Sequence, residues 1–333
     1  MSNAEQSAGR LADSFVLRAI YPLVERPSRY ADCELNLASA GYAEGRFNVL
    51  LVFPDSYEIG ASHQGSRLLY HRLAAMPSVG VEFAFAPWPD AERLMRSTGE
   101  PLRSLATLTP ARRFDLIGFS VMYELHYTNI LMMLDLAGLA LEASGRSEED
   151  PIVVAGGSCC TNPLPFLPAV DAVFLGDAED SLCEAVETLA RLAAAGAARR
   201  GKIEALAGIG GVLVEGVSST VKARVHRFSP DDLPLRPVVP VSEIVHQRLS
   251  IEIMRGCARG CRFCHAGMFY RPCRERTVDE IMRAVREGLD ATGWDEVSLL
   301  SLSTSDYSRL GELLTRLMPE LERRKVSLAL PSL

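Results

Sequence analysis

Five short apolar runs, separated by helix-length amphipathic segments, limit most strongly what this chain can fold into. "NVLLVF" (48–53), "VEFAFAP" (81–87), "FDLIGFSV" (114–121), "PIVVAGG" (151–157) and "DAVFLGD" (171–177) read as strands. "SHQGSRLLYHRLAAM", "HYTNILMMLDLAGLALEA" and "AEDSLCEAVETLARLAAA" read as the helices among and after them. Strands that are apolar on both faces need cover on both faces, which a parallel sheet wrapped by helices supplies. Five of them predict a flavodoxin-like doubly wound α/β sheet, whose ligand crevice lies at the C-terminal ends of the strands.

The residues at those ends are therefore the binding candidates. After the first strand come Asp55, Tyr57, Gly60 and His63, and after the third come Ser120, Tyr123 and Glu124. Gly156, Gly157, Cys159 and Cys160 follow the fourth, and Gly176, Asp177 and Glu179 follow the fifth. Glycine at such turns permits close backbone approach to a ligand, although glycines also simply end strands in folds of this class. His126 and Tyr127 open a helix that can face the crevice. Cys33 and Cys183 read as ordinary cysteines, and His226 and His246 have no companions at ligand spacing.

A second feature carries chemistry. Cys257, Cys261 and Cys264 stand as CxxxCxxC, with Phe263 directly before the last. Three thiolates can hold three corners of a four-iron cluster and leave the fourth iron open to a substrate. Two plainer readings compete: a zinc site completed by His265 or Cys273, and a four-cysteine cluster closed by Cys273. The flanks argue against both. "LSIEIM" (249–254) alternates as a strand leading into the loop, and "RTVDEIMRAVREGLDATG" reads as a helix opened by a Thr277/Glu280 capping box. Strand, cysteine loop and helix form the opening unit of a parallel β/α barrel, with the loop where such barrels do chemistry.

Composition excludes several alternatives. With 48% hydrophobic residues, the 333-residue chain is long and apolar enough for two cores. No apolar run approaches a bilayer span, and the N-terminus has no signal pattern. Eight cysteines in a chain this long make no dense disulfide framework, so a cytoplasmic setting is expected. A net charge of −7 argues against a general polyanion-binding surface. Six arginines (255, 259, 262, 271, 274 and 276) do cluster near the cysteines, where they could offset an anionic cluster, hold a carboxylate or guide a nucleic acid. They also reflect a chain that uses arginine in place of lysine almost throughout.

The cysteine run "IEIMRGCARGCRFCHAGMFYRPCRERT" resembles the cluster loop of the radical S-adenosylmethionine (SAM) superfamily. The resemblance implies a 4Fe-4S cluster on Cys257, Cys261 and Cys264 whose open iron chelates SAM. One electron then gives methionine and a 5′-deoxyadenosyl radical. A reductant such as flavodoxin or ferredoxin and a substrate (RNA, protein or metabolite) are implied with it. "GFSVMYE", "AGGSCCTNP" and "VFLGDAEDSL" resemble the third-, fourth- and fifth-strand turns of the cobalamin-binding domain found upstream of such barrels. That domain's DxHxxG motif reads "DSYEIG" here, with Tyr57 in the histidine's place. Either cobalamin binds without that ligand, or the fold is kept and the cofactor lost. With "VERPSRYADCELN", "FPDSYEIGASHQG" and "APWPDAERLM", the whole is similar to an uncharacterised radical SAM family, often fused to a further C-terminal domain. A non-catalytic iron–sulfur or zinc scaffold is the alternative.

The expected organisation is an N-terminal arm (1–46), a cobalamin-binding-like domain (47–200), a connector (201–247) and an incomplete barrel (248–333) holding its first three strands. The third, "VSLALPSL", leaves an apolar edge, so the missing remainder of the barrel is an expected partner. The turn "LSLSTSDY" stands where radical SAM proteins contact the SAM amino group. Ser301, Ser303, Thr304, Ser305 and Asp306 are its candidates, although the usual Gly-Gly-Glu wording is absent.

Overall fold

The computed structural model describes residues 21–31, 34–37 and 41–332. Cys33 lies outside the described residues. Eleven strands are labelled here. They are β1 (Phe47–Phe53), β2 (Val79–Phe85), β3 (Leu116–Ser120), β4 (Ile152–Gly156), β5 (Ala172–Phe174), β6 (Val212–Leu213), β7 (Leu249–Glu252), β8 (Met254–Arg255), β9 (Arg274–Glu275), β10 (Glu296–Leu300) and β11 (Ser327–Ala329). The helices used below are α1 (Tyr57–Gly60), α2 (Gln64–Ala74), α3 (Pro89–Thr98), α4 (His126–Leu136), α5 (Glu179–Ala194), α6 (Arg199–Leu206), α7 (Ala266–Phe269), α8 (Val278–Thr292) and α9 (Leu310–Arg324).

The first sheet runs β2-β1-β3-β4-β5, all parallel, with β6 antiparallel on the far edge of β5. This 2-1-3-4-5 order is the flavodoxin-like one, and it places the switch point between β1 and β3. Every residue of β1 is buried because its two faces feed different cores. Leu50 and Val52 pack with Ile117, Phe119, Val153 and the α4 residues Ile130, Met133 and Leu134. Val49 and Leu51 pack the other way, with Val81, Val154, Tyr70 and Leu73 of α2, and Leu182, Val186 and Leu189 of α5. Each such side chain contributes about 1.5–3 kcal/mol relative to exposure.

Two details depart from expectation. The helix over "HYTNILMMLDLAGLALEA" ends at Leu136, because Gly138 takes φ 69° and Leu139 N–H turns back to Leu134 O at 3.0 Å. Beyond residue 200, Leu206 of α6, Val212 of β6 and Val214 join the core beneath the first sheet. The start of the expected connector therefore packs as part of that sheet's layers.

The second sheet is β11-β10-β7, parallel throughout, with α8 and α9 as its crossover helices. Leu249, Ile251, Val297 and Leu299 meet Ile281, Val285, Leu289, Leu313 and Leu317 in one core. Thr277 and Glu280 form the expected capping box: Glu280 Oε2 accepts from Thr277 N–H at 2.8 Å, and Thr277 Oγ1 accepts from Glu280 N–H at 3.3 Å. Such a cap contributes about 1 kcal/mol. Directly after β7, the β8/β9 ribbon closes the neck of the cysteine loop. Among the described residues, no helix is long and apolar enough to cross a membrane.

Candidate functional site

At the switch point, the ends of β1 and β3 bring a polar cluster together. The Tyr123 hydroxyl donates to Asp55 Oδ2, and His126 Nε2 lies 3.7 Å from the same oxygen. His126 is fully buried, and its Nε2 has no hydrogen-bond partner among the described residues. Burial pushes its pKa down against the pull of Asp55. His63 caps α2 by accepting Ser66 N–H at Nδ1, 3.1 Å, and Ser66 Oγ lies 3.2 Å from Ser120 Oγ. Burial, then His126 and Arg67, lower the His63 pKa to about 4, so its imidazole is neutral at pH 7. Asn129 Nδ2 donates to Pro54 O at 2.8 Å, fixing the turn after β1.

Asp55, His63 and Ser120 thus meet at the crevice end, while Tyr57 points elsewhere. Its hydroxyl donates to Glu34 Oε1 at 2.8 Å and accepts from Val241 N–H at 3.3 Å. Burial raises the Glu34 carboxyl to about 7, opposed by Tyr57 and Arg67. The phenol in the histidine's place therefore ties the N-terminal segment to the connector. Tyr123 and His126 take the position beside Asp55 instead. Ser66, Asn129, Arg67 and Glu34 were not singled out from the sequence. Asn129 lies three residues after His126 on one helical face, a spacing that could have flagged it.

The glycines divide similarly. Gly60 lies against Phe85 and Phe53, and Gly156 ends β4. Gly157 has φ 128°, and a Cβ there would stand 2.4 Å from Val121 O. Gly176 has φ 91° and pairs with Arg224, whose carbonyl would lie 2.1 Å from an added Cβ. The connector therefore crosses over the end of β5 and shelters Gly176. Gly157→Ala is expected to cost about 1–3 kcal/mol for the backbone conformation, plus the clash. Thermal melting and proteolysis within 158–165 check this, and an unchanged melt would contradict the tight β3–β4 crossing.

The cysteine loop hangs from the β8/β9 neck at the C-terminal end of β7. Cys257 Sγ accepts Arg259 N–H at 3.5 Å, and Cys264 Sγ accepts Gly267 N–H at 3.3 Å. Cys264 N–H donates to Cys261 O at 3.0 Å, which winds the loop tightly between the last two cysteines. Three cysteines on one tight loop, two of them accepting backbone amides at sulfur, are the donor set that an iron–sulfur group takes, so these residues fit one. Phe263 is 93% exposed beside them. Among the described residues, no three His, Cys, Asp or Glu side chains form a group that could hold a single metal ion. Cys273 is exposed at the neck, and burial, then Glu275 and Cys257, raise its pKa.

The turn after β10 folds back on this loop. Asp306 grips Arg259 in a forked ion pair, with Arg259 Nε at 2.6 Å, and accepts from Ser303 Oγ at 2.8 Å. Ser301 Oγ lies 2.9 Å from Thr304 Oγ1, and Ser305 is exposed. Tyr307 donates to Arg276 O at 2.9 Å, joining the same turn to the end of the ribbon.

Most of the clustered arginines are engaged within the protein. Arg255 pairs with Glu252, Asp177 and Glu179, and Arg274 with Asp177. Arg276 is buried under Phe228, 4.1 Å from the ring centroid. Arg271 donates to Gly267 O at 3.1 Å, and Arg262 is exposed. These contacts join the two sheets so that the cysteine loop meets the C-terminal end of the first. Thr161, after β4, lies 3.3 Å from His265 Nε2.

The match to known proteins follows the same division. Residues 65–214 match the N-terminal domain of radical SAM proteins, and residues 251–332 match the radical SAM superfamily domain. The chain belongs to the radical SAM superfamily. An uncharacterised protein of Methanocaldococcus jannaschii is 25% identical over 277 residues, covering 80% of this chain and 51% of that protein. This chain thus spans about half the length of that relative. In fold it resembles the radical SAM methyltransferase TsrM from Kitasatospora setae, solved with cobalamin and a 4Fe-4S cluster. The TM-score is 0.55 at 17% identity, covering 85% of this chain and 54% of that one. It also resembles the cobalamin-dependent SAM radical enzyme OxsB, solved with aqua-cobalamin and SAM. There the TM-score is 0.56 at 15% identity, covering 85% of this chain and 38% of that one.

Proposed function

We propose that this chain forms the cluster-bearing and corrinoid-type modules of a radical SAM enzyme. The observation that carries the reading is the placement of the CxxxCxxC loop, at the end of β7 and against the C-terminal ends of β4 and β5. When bound, the cluster with SAM supplies one-electron cleavage of a sulfonium to methionine and a 5′-deoxyadenosyl radical, and cobalamin adds methyl transfer.

The residues here divide that work. Cys257, Cys261 and Cys264 would hold iron, and the amides of Arg259 and Gly267 donate to two of the sulfurs. Asp306 holds the loop through Arg259, and Ser301, Ser303 and Ser305 form the turn offered to SAM. Phe263, exposed directly before Cys264, would present an apolar face next to the cluster ligands. In the first sheet, Asp55, His63 and Ser120 line the end where a corrinoid would rest. No imidazole stands in Tyr57's place, so a corrinoid would sit there without the usual histidine ligand. The free thiols suit a reducing cytoplasm, with a flavodoxin or ferredoxin as electron donor.

The test is anaerobic reconstitution followed by iron and sulfide counting and by gel filtration with hydroxocobalamin. About four irons per chain and a retained corrinoid are expected, as in four-iron clusters on cysteine ligands. The cobalt(II) EPR spectrum should lack protein-nitrogen splitting. Iron without retained corrinoid would remove methyl transfer and leave SAM cleavage. Zinc in place of iron would contradict the enzyme reading.

A further inference from the structure

We infer that Asp177 is a positioning residue that fixes the neck of the cysteine loop against the crevice end of the first sheet. The inference rests on reading Cys257, Cys261 and Cys264 as cluster ligands.

Arg255 and Arg274 are register partners across the β8/β9 ribbon, two residues before Cys257 and one after Cys273. Like charges directly opposite each other on a ribbon repel. One carboxylate from the other module resolves this. Asp177 Oδ1 lies 3.0 Å from Arg255 Nη1, and Oδ2 takes Arg274 Nη1. Glu179 Oε1 adds a second contact to Arg255 at 2.6 Å.

Asp177 is itself held fast. Its N–H donates to Arg224 O at 2.9 Å, and its Oδ2 accepts His226 N–H at 2.9 Å. The Asp177 side chain is 7% exposed, against 12% and 13% for the two arginines. Burial raises its carboxyl pKa, but the two arginines more than offset this and hold it below the usual range. In so dry a junction, removing one partner leaves uncompensated charge, unlike the weak effect of a surface pair. Glu252 also pairs with Arg255, but from the preceding strand, so it neutralises charge without joining the modules.

The experiment uses the reconstituted, dithionite-reduced protein. Wild type must first give a four-iron EPR signal that shifts with SAM; without it, the cluster reading fails and this inference falls with it. Asp177→Asn is then expected to release iron to a chelator about tenfold faster, the lower end of what outer-shell supports of metal ligands contribute. Its EPR line shape should change as well. Adding Arg274→Gln to Asp177→Asn should slow the loss again, because the unpaired buried cation is gone. Urea unfolding of the same variants separates this from a general loss of stability: iron loss should rise in Asp177→Asn under conditions where the variant is still fully folded. Glu184→Gln, at a half-exposed pair with Arg224, should behave as wild type. If Asp177→Asn yields no folded protein, Arg274→Gln alone opens the clamp from β9 and should raise iron loss severalfold. Wild-type iron loss and line shape in Asp177→Asn, or no rescue in the double variant, would overturn the inference. So would wild-type loss in Arg274→Gln alone.

Discussion

Cys261→Ala is expected to abolish the four-iron signal of reconstituted protein. Cys261 is the most exposed of the three cluster thiols and stands between two whose sulfurs accept backbone amides. Two cysteines cannot hold three corners of a cubane. Outer-shell changes alone cost metal sites about 10- to 100-fold in affinity, and loss of a ligand should exceed that. Cys257→Ala and Cys264→Ala should behave alike. Cys273→Ala separates this reading from its rivals, because a four-cysteine cluster or a zinc site closed by that thiol would lose its metal. Here Cys273→Ala should keep iron near the wild-type level. Iron counting with EPR on the four variants checks both expectations.

Asp232→Ala should destabilise the protein by about 3–5 kcal/mol, the range for breaking a buried ion pair on one side. Asp232 is fully buried where the connector meets both modules. Its Oδ1 accepts from Arg72 of α2 at 3.1 Å, and its Oδ2 from His226 Nε2 at 2.9 Å and Ser229 N–H at 2.5 Å. Arg276 Nη2, at the foot of α8, lies 3.8 Å away. Removing the carboxylate takes the buried partner from cations of three segments. Among the described residues, Arg72 and His226 are then left only the half-buried Asp180 as a carboxylate partner, and Arg276 only Glu252 at 3.9 Å. Urea unfolding measures the effect; a change under about 1 kcal/mol would mean that the junction behaves like a solvated surface pair.

The same network sets an alkaline limit. Burial alone would lower the His226 pKa, but hydrogen bonds to Asp232 and Asp180 outweigh it and hold the ring protonated to about 9. A raised folded pKa contributes stability fully below the ordinary 6.5 and loses it as pH rises through about 9. Asp232→Ala should flatten that alkaline limb. His63 works on the other side. Its pKa is depressed to about 4, so stability falls as pH drops from 6.5 towards 4.

Much of this architecture was legible because its strands are buried on both faces and so read as unbroken apolar runs. The capping box at Thr277 and the strand–loop–helix around the cysteines were equally local, with every participant within a few residues. What stayed hidden depends on partners distant in sequence. The arginines near the cysteines look like a ligand-facing patch until Asp177, Glu179 and Asp232 arrive from other segments to occupy three of the six. Tyr57 was recognisable as a departure from DxHxxG. Its actual partner, Glu34, comes from a segment with no periodic pattern. In the sequence, His126 and Tyr123 stand only as crevice-end candidates. Their pairing with Asp55 follows from β1 and β3 being neighbours in the sheet, as the flavodoxin-like order implies, but which side chains meet across that switch point is not set by strand patterns.

The most direct test of the central claim is low-temperature EPR of the reduced, reconstituted protein with and without SAM, in a chain that includes any remaining barrel strands. A four-iron signal that shifts when SAM is added is the expected result, since it requires an open iron within reach of the ligand. A four-iron signal indifferent to SAM would contradict the claim and point to a fourth protein ligand on the cluster.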